Sequence, residues 1–217
     1  MPRKTRSPAR ALREAGRRAR NREAVEGRIV TAALALFQEK GFDATTTKAI
    51  ARRARVAEGT VFNYFETKED IALYFFGLEV DHGIAAVRGN PKLRHARLEE
   101  TLFALVEGQL AFLAPHEKFI GAAIIHALRP HSKIAFGGQA FALRTRYLAF
   151  VQELIDEAAS RGARNLFGWF APQVFWIYYL GVLLYWLNDD SKGKANTLAL
   201  LDRSLKAGVA LLRKGKV

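Results

Sequence analysis

The residues TKAIARRARVAEGTVFNYF, positions 47–65, decide how this chain is read. Ile50, Ala51, Ala54, Val56, Val61 and Phe65 recur at helical spacing on both sides of Arg55-Val56. They describe the inner seam of two short helices that cross steeply, with Ala51 and Ala54 small enough to allow close approach. Phe62 and Phe65 are expected in that core. The other face of the second helix, Ala57 to Phe65, presents Glu58, Gly59, Thr60, Asn63 and Tyr64. Short polar groups beside one phenol suit insertion into a major groove, where base edges offer donors and acceptors. A glycine in mid-helix costs about 1 kcal/mol relative to alanine, so Gly59 points to a place where backbone meets phosphate or base.

Upstream, Asn21 is the expected N-cap of a helix whose apolar positions are Val25, Ile29, Ala32, Ala33, Leu36 and Phe37, and Gly41 supplies the left-handed residue that stops it. Residues 1–20 read as a flexible basic arm, with Ser7-Pro8 as an alternative helix start. Thr45, Thr46 and Thr47 offer caps for the first short helix, which makes 46–65 a helix-turn-helix and 21–66 a three-helix unit. Downstream, Thr67 caps a connecting helix over 67–88, with Glu69 and Asp70 in the first turn favouring the dipole. Five more helical segments follow: His95–Leu113, Glu117–Leu128, Phe136–Arg161, Leu166–Leu187 and Asn196–Arg213. Pro115, Pro130, Gly162 and the polar run 188–194 break them. No alternating strand pattern persists. The expectation is an all-α chain of about nine helices: an N-terminal head joined to a larger helical domain over 67–217.

The chain has 217 residues, a net charge of +13 and no cysteine. Disulfides, thiolate metal sites and cysteine nucleophiles are thereby excluded, and a reducing cytoplasm fits. Residues 1–28 carry ten basic against three acidic groups, whereas residues 29–70 carry six of each. The positive excess sits on the arm rather than on the helix-turn-helix. That suits a polyanion whose counterions are released on binding, or else a solvated tail. The arm has no apolar stretch behind it, so it does not read as a signal peptide. His116-Glu117 begins like a zinc-protease motif, but Ile120 stands where its second histidine belongs. His126 and His131 lack an acidic or thiol neighbour, and no phosphate loop or dinucleotide fingerprint occurs. Neither catalysis, a metal nor a cofactor is expected.

Gly41-Phe42, Thr46-Thr47, Ile50-Ala51, Ala54, Val56, Gly59 to Phe65 and Lys68-Glu69 together resemble the DNA-binding signature of TetR-family regulators. The resemblance covers about residues 25–75. Two positions depart from it. Arg55 stands in the turn where the family usually has glycine, and Ala57 opens the second helix where serine is frequent. The resemblance implies that Thr47, Lys48, Tyr64 and Lys68 hold phosphate and that Thr60, Asn63 and Glu58 face bases. Lys68→Ala is then expected to weaken binding to all sequences and flatten its salt dependence. Arg52 and Arg53 are read equally as DNA contacts or as a solvated face.

For the remaining two thirds the resemblance implies a helical ligand-binding and dimerisation domain. An effector pocket is expected among Leu98–Leu113, Phe119–Leu128 and Phe136–Phe150. Phe103, Phe112, Phe119 and Phe141 would supply its apolar wall, and Gln109, His126 and Gln173 its sparse polar anchors. Residues Phe167 to Leu187 are uncharged throughout. Their length permits a membrane span, but Pro172, Gln173 and the dense aromatics argue for a buried helix, so no membrane partner is expected. Trp169, Trp176, Tyr179, Leu183 and Trp186 form one stripe; Phe170, Val174, Ile177, Gly181 and Leu184 form another. The first, with Leu201 and Leu205 of the last helix, is expected to meet a partner subunit, with the single-chain core as the competing reading. The combined expectation is a homodimer on a palindromic operator, a repressor released by a small, mostly apolar effector. The alternative is a module that binds nucleic acid or an anionic surface through the arm alone, without small-molecule control.

Overall fold

The computed structural model describes residues 8–161 and 168–214, and among these every regular element is a helix. The α-helices are α1 (Pro8–Lys40), α2 (Thr47–Ala54), α3 (Glu58–Phe62), α4 (Lys68–Arg88), α5 (Leu98–Leu113), α6 (Glu117–Ala127), α7 (Lys133–Phe136), α8 (Gly138–Ser160), α9 (Ala171–Leu187) and α10 (Ala195–Lys214). The expected segment from Phe136 is divided, because Gly137 takes an extended conformation between α7 and α8. Arm residues 1–7, and Gly162, Leu166 and Phe167 in the expected break and helix start, lie outside the described residues.

The chain forms two compact units, Met1–Ile71 and Ala72–Val217. In the first, α1 corrects the expected start at Asn21. It runs unbroken for 33 residues from Pro8, so Asn21 lies within the helix. Proline at the first helical position has no N–H to leave unpaired. The Ala, Arg and Glu that follow are strong helix formers, which carries the helix beyond the reach of its apolar stripe. Ile29, Val30, Ala33, Leu36 and Phe37 of α1 are buried with Phe42, Ile50, Ala51, Ala54, Val61 and Phe65. Each large side chain so buried is worth about 1.5–3 kcal/mol. Gly41, at φ 84°, ends the helix, and its N–H donates to Phe37 O at 3.0 Å.

In the second unit α5 packs against α8 and α10, and α9 against the same two helices. Close approach of α4 and α5 depends on Gly83, where a Cβ would lie 2.5 Å from Gln109 Cγ. Phe75 gathers the rings of Phe112 and Phe119 at centroid distances of 5.2 and 5.7 Å. Asp189 closes the start of α10 by accepting from the Thr197 N–H at 2.8 Å and its hydroxyl at 2.7 Å. Residues Gly168–Leu187 are long and apolar enough to cross a membrane, yet Phe175, Tyr179, Val182, Leu183 and Trp186 along this stretch are buried in the unit's core.

Candidate nucleic-acid interface and internal cavity

The turn between α2 and α3 carries the two departures from the motif. Thr46 caps α2 by accepting from Ala49 N–H at 3.2 Å. Arg55 closes it at φ 56°, ψ 48°, the left-handed conformation that glycine normally takes. Its N–H reaches Arg52 O, and the Val56 N–H reaches Ala51 O at 3.1 Å. A non-glycine residue pays roughly 1–2 kcal/mol for this, and the two carbonyls so satisfied offset it. Ala57 then opens α3 in an extended conformation with no side-chain cap. The geometry of the turn is kept, and one capping bond is lost.

On this frame Lys48, Glu58, Gly59 and Asn63 are exposed, and Thr47, Thr60 and Tyr64 are half-buried. Thr47 Oγ1 donates to Glu58 Oε1 at 3.3 Å, which ties the start of α2 to that of α3. Nothing lies within 4 Å of where a Gly59 side chain would begin, so the space there is open. Asn63 is the C-cap of α3, and Arg22 lies 5.5 Å above the Tyr64 ring. α1 also exposes Arg13, Arg17, Arg18 and Arg20. Arg53 is engaged, since its Nη1 meets Glu39 Oε2 at 2.6 Å.

Two expectations fail here. Phe62 is 49% exposed rather than core, because Val61 and Phe65, four residues apart, fill the inner seam and Phe62 points about 100° away. Lys68 is not a free phosphate ligand. Its ammonium donates to the carbonyls of Phe42, Asp43 and Thr45 at 2.8, 3.0 and 3.3 Å and lies 4.8 Å from the Phe42 ring centre. All three of its donors are committed. Lys68 ties the loop after α1 to the start of α4, where Thr67 and Asp70 form a reciprocal cap.

The second unit contains a cavity of about 320 Å³ between α4, α6, α7, α8 and α9. None of the seven expected pocket residues lines it. Phe112 and Phe119 are occupied with Phe75. Phe141 is 62% exposed beneath Arg144. His126 Nδ1 lies 3.2 Å from Arg129 Nη1. The Gln173 amide, oriented by its hydrogen bonds, donates to the carbonyls of Trp169 and Phe170 at 2.9 and 3.1 Å. Phe103 is half-buried and away from the lining. Gln109 is fully buried one step behind the wall.

The walls are instead Leu73, Phe76 and Val80 of α4, Ile120 and Ile124 of α6, Phe136 of α7, and Trp176, Tyr179 and Leu183 of α9. The last three belong to the stripe expected at a dimer interface. From Tyr179 onward that stripe is turned inward: Tyr179, Leu183, Trp186, Leu201 and Leu205 are all buried within one chain, whereas Trp169 at its start is 71% exposed. The polar tips supply the reason. The Tyr179 hydroxyl needs a partner and finds Glu79 at 2.9 Å, and Lys194 sits 5.2 Å from the Trp186 ring centre. The outward face of α9 carries Val174, Ile177 and Leu184, which have no polar tip, and Tyr185, which is 45% exposed, with Trp169 and Phe170 stacked just before the helix.

Sequence reasoning missed Glu79. It lines the cavity while only 4% exposed. Its Oε1 accepts from Tyr179 OH and from the Gln109 amide, whose own oxygen accepts from Tyr147 OH at 2.9 Å. Burial pushes the Glu79 carboxyl up to about 7, against the pull of the Tyr179 and Gln109 donors. Burial, and then Glu79 itself, raise both phenols well above their ordinary value. The available signal was a lone acid in the otherwise uncharged run from Ile71 to Val80, since a solitary charge on an apolar face has to be explained.

The comparisons with known proteins agree with this architecture. The model of the bacterial regulatory proteins of the tetR family matches residues 29–75, and that of the tetracyclin repressor-like C-terminal domain matches residues 97–217. The fatty acid metabolism regulator protein of Bacillus subtilis is 30% identical over 86 residues, 40% of this chain and 44% of that protein. The chain spans from 19% to 44% of the length of the curated relatives it matches. A TetR transcriptional regulator from Nitrosomonas europaea superimposes with a TM-score of 0.69 at 22% identity, covering 86% of this chain and 98% of the other. Thermus thermophilus FadR, a TetR-family repressor in complex with lauroyl-CoA, does so at 0.61 and 24%, covering 88% and 95%. These likenesses speak to the fold. The C-terminal match alone takes in more than half of the sequence, and with the helix-turn-helix match before it the chain belongs to the TetR family of bacterial regulatory proteins.

Proposed function

We propose that the chain is a transcription regulator that binds a palindromic operator as a homodimer through α2 and α3 and is released when a small, largely apolar effector fills the cavity of its second unit. The observation that carries this reading is the left-handed Arg55, which keeps the turn of the motif while α3 leaves Gly59 and Asn63 open. Asn63 and Thr60 read base edges, and Thr47, Lys48 and Tyr64 hold phosphate. Exposed Arg13, Arg17, Arg18, Arg20 and Arg22 add attraction that is independent of sequence. The outward apolar face of α9, with Ile177 70% exposed at its centre, receives the partner copy rather than lipid. The dimer sets two α3 helices about one DNA turn apart.

Repression and effector release gain support from the Bacillus subtilis fatty acid metabolism regulator and the Thermus thermophilus repressor with its lauroyl-CoA. α4 spans Lys68–Arg88 and contributes Leu73, Phe76, Glu79 and Val80 to the cavity wall. An effector that favours one setting of α4 over another changes operator affinity by that preference. Nuclease footprinting tests the reading: a short palindrome should be protected, and Asn63→Ala should relax the base preference at one position. Binding without sequence preference that is abolished by raised salt would favour the second reading, in which the exposed arginines of α1 act alone on polyanions.

A further inference from the structure

We propose that the cavity takes an apolar ligand bearing a protonated amine, with the Glu79 carboxylate as its counter-ion. This rests on the reading of the cavity as the effector site and adds the chemical class of the effector. Among the described residues, both donors to Glu79 reach Oε1, and Oε2 takes none. The Tyr147 hydroxyl donates to Gln109 Oε1, which fixes that amide with its NH₂ towards Glu79. Every polar group directed at the carboxyl is thus a donor, an arrangement that favours the ionised form. No cation among the described residues completes it. Of the charged and titratable side chains around it, Tyr147 and Tyr179 stay neutral, and Arg144 of α8 lines the cavity but sits 5.7 Å from the ring of the exposed Phe141. His116 packs edge-on against Phe75, and Glu117 of α6 is paired with Lys194 at 2.6 Å.

A buried carboxylate lacking its partner is costly, and an ammonium supplies both the charge and the N–H donors for Oε2. A carboxylate ligand would force one of two adjoining acids to hold a proton. A hydroxyl would bring a donor without the charge. Apart from Arg144, the remaining wall, including Leu73, Ile120 and Trp176, is apolar and suits an alkyl or aromatic body. Ammonium groups of the lysine type stay charged to about pH 10, so the pH dependence of binding follows Glu79.

The test uses the full chain with decylammonium, decanol and decanoate below their micellar concentrations, followed by calorimetry and by the fluorescence of Trp176 in the wall. At pH 7.5 decylammonium should bind at least tenfold more tightly than either of the others, and E79Q should bring it down to the affinity of decanol. With a carboxyl of about 7, the ionised fraction rises from about one tenth to nine tenths between pH 6 and 8, so amine affinity should rise about tenfold. Decanol or decanoate binding as tightly as the amine, or E79Q retaining the amine preference, overturns the proposal. If one of those two also releases operator, the effector cavity stands without its ammonium site. If no probe binds, both readings fall.

Discussion

Glu79 makes stability depend on pH in a direction opposite to that of most carboxylates, and E79Q isolates the effect. Unfolded, the carboxyl ionises near the ordinary 4.5; folded, burial holds it up to about 7. Between those values the folded state carries more bound protons, so stability falls as pH rises and levels off once the folded carboxyl has ionised. The difference corresponds to a loss on the order of 3 kcal/mol from pH 4 to pH 8, or roughly 6–12 °C in melting temperature for a chain of this size. The amide introduced by E79Q keeps the shape and a hydrogen-bonding oxygen but cannot ionise, so the variant's curve lacks this slope. His116, lowered by burial, adds a slope of the other sign in both proteins and cancels in the difference. At Asp189 burial raises the carboxyl, but the Ser191 and Thr197 donors outweigh it and hold it well below the usual range, so it stays ionised throughout. Denaturation at pH 5, 6, 7 and 8 at fixed ionic strength measures the effect. E79Q should gain on the wild type steadily towards pH 8. Parallel curves, or a variant that falls behind as pH rises, would refute a carboxyl buried without a counter-ion.

Lys68→Met should lower unfolding free energy by about 2 kcal/mol, the scale of charge-assisted hydrogen bonds, while the salt slope of operator binding stays put; a slope reduced by one unit would return Lys68 to the phosphate backbone. Gly83→Ala raises helix propensity yet should destabilise the protein, because the new methyl meets Gln109 and displaces its amide from Glu79. Calorimetric melting checks this, and an alanine variant as stable as the wild type would mean that the contact relaxes freely. Ile177→Glu places a charge in the centre of the outward α9 face and should convert a dimer to monomers in sedimentation without lowering the melting temperature of the monomer.

The helix-turn-helix was legible because its constraints are local. Ala51 and Ala54 at the crossing, Thr46 at the cap and a left-handed position at residue 55 leave one way to arrange nineteen residues, and even an arginine accepts the turn. The cavity was not legible, because α9 is apolar around its whole circumference and its periodicity names no inner face. Aromatic size drew the expected dimer stripe to Tyr179 and Trp186, whereas burial followed polar tips: a phenol inside needs an acceptor, and Glu79 was the lone acid in the otherwise uncharged run from Ile71 to Val80 of α4. The engagement of Lys68 with its own loop was not legible for a related reason. Sequence position gives the start of a helix, but only the loop from Phe42 to Thr45, folding back to offer three carbonyls, decides where the ammonium spends its donors. In each case the missing information was the partner that a polar atom must find once buried. An unpaired acid or phenol inside an apolar segment is therefore a better pointer to a ligand cavity in this chain than the phenylalanines that surround it.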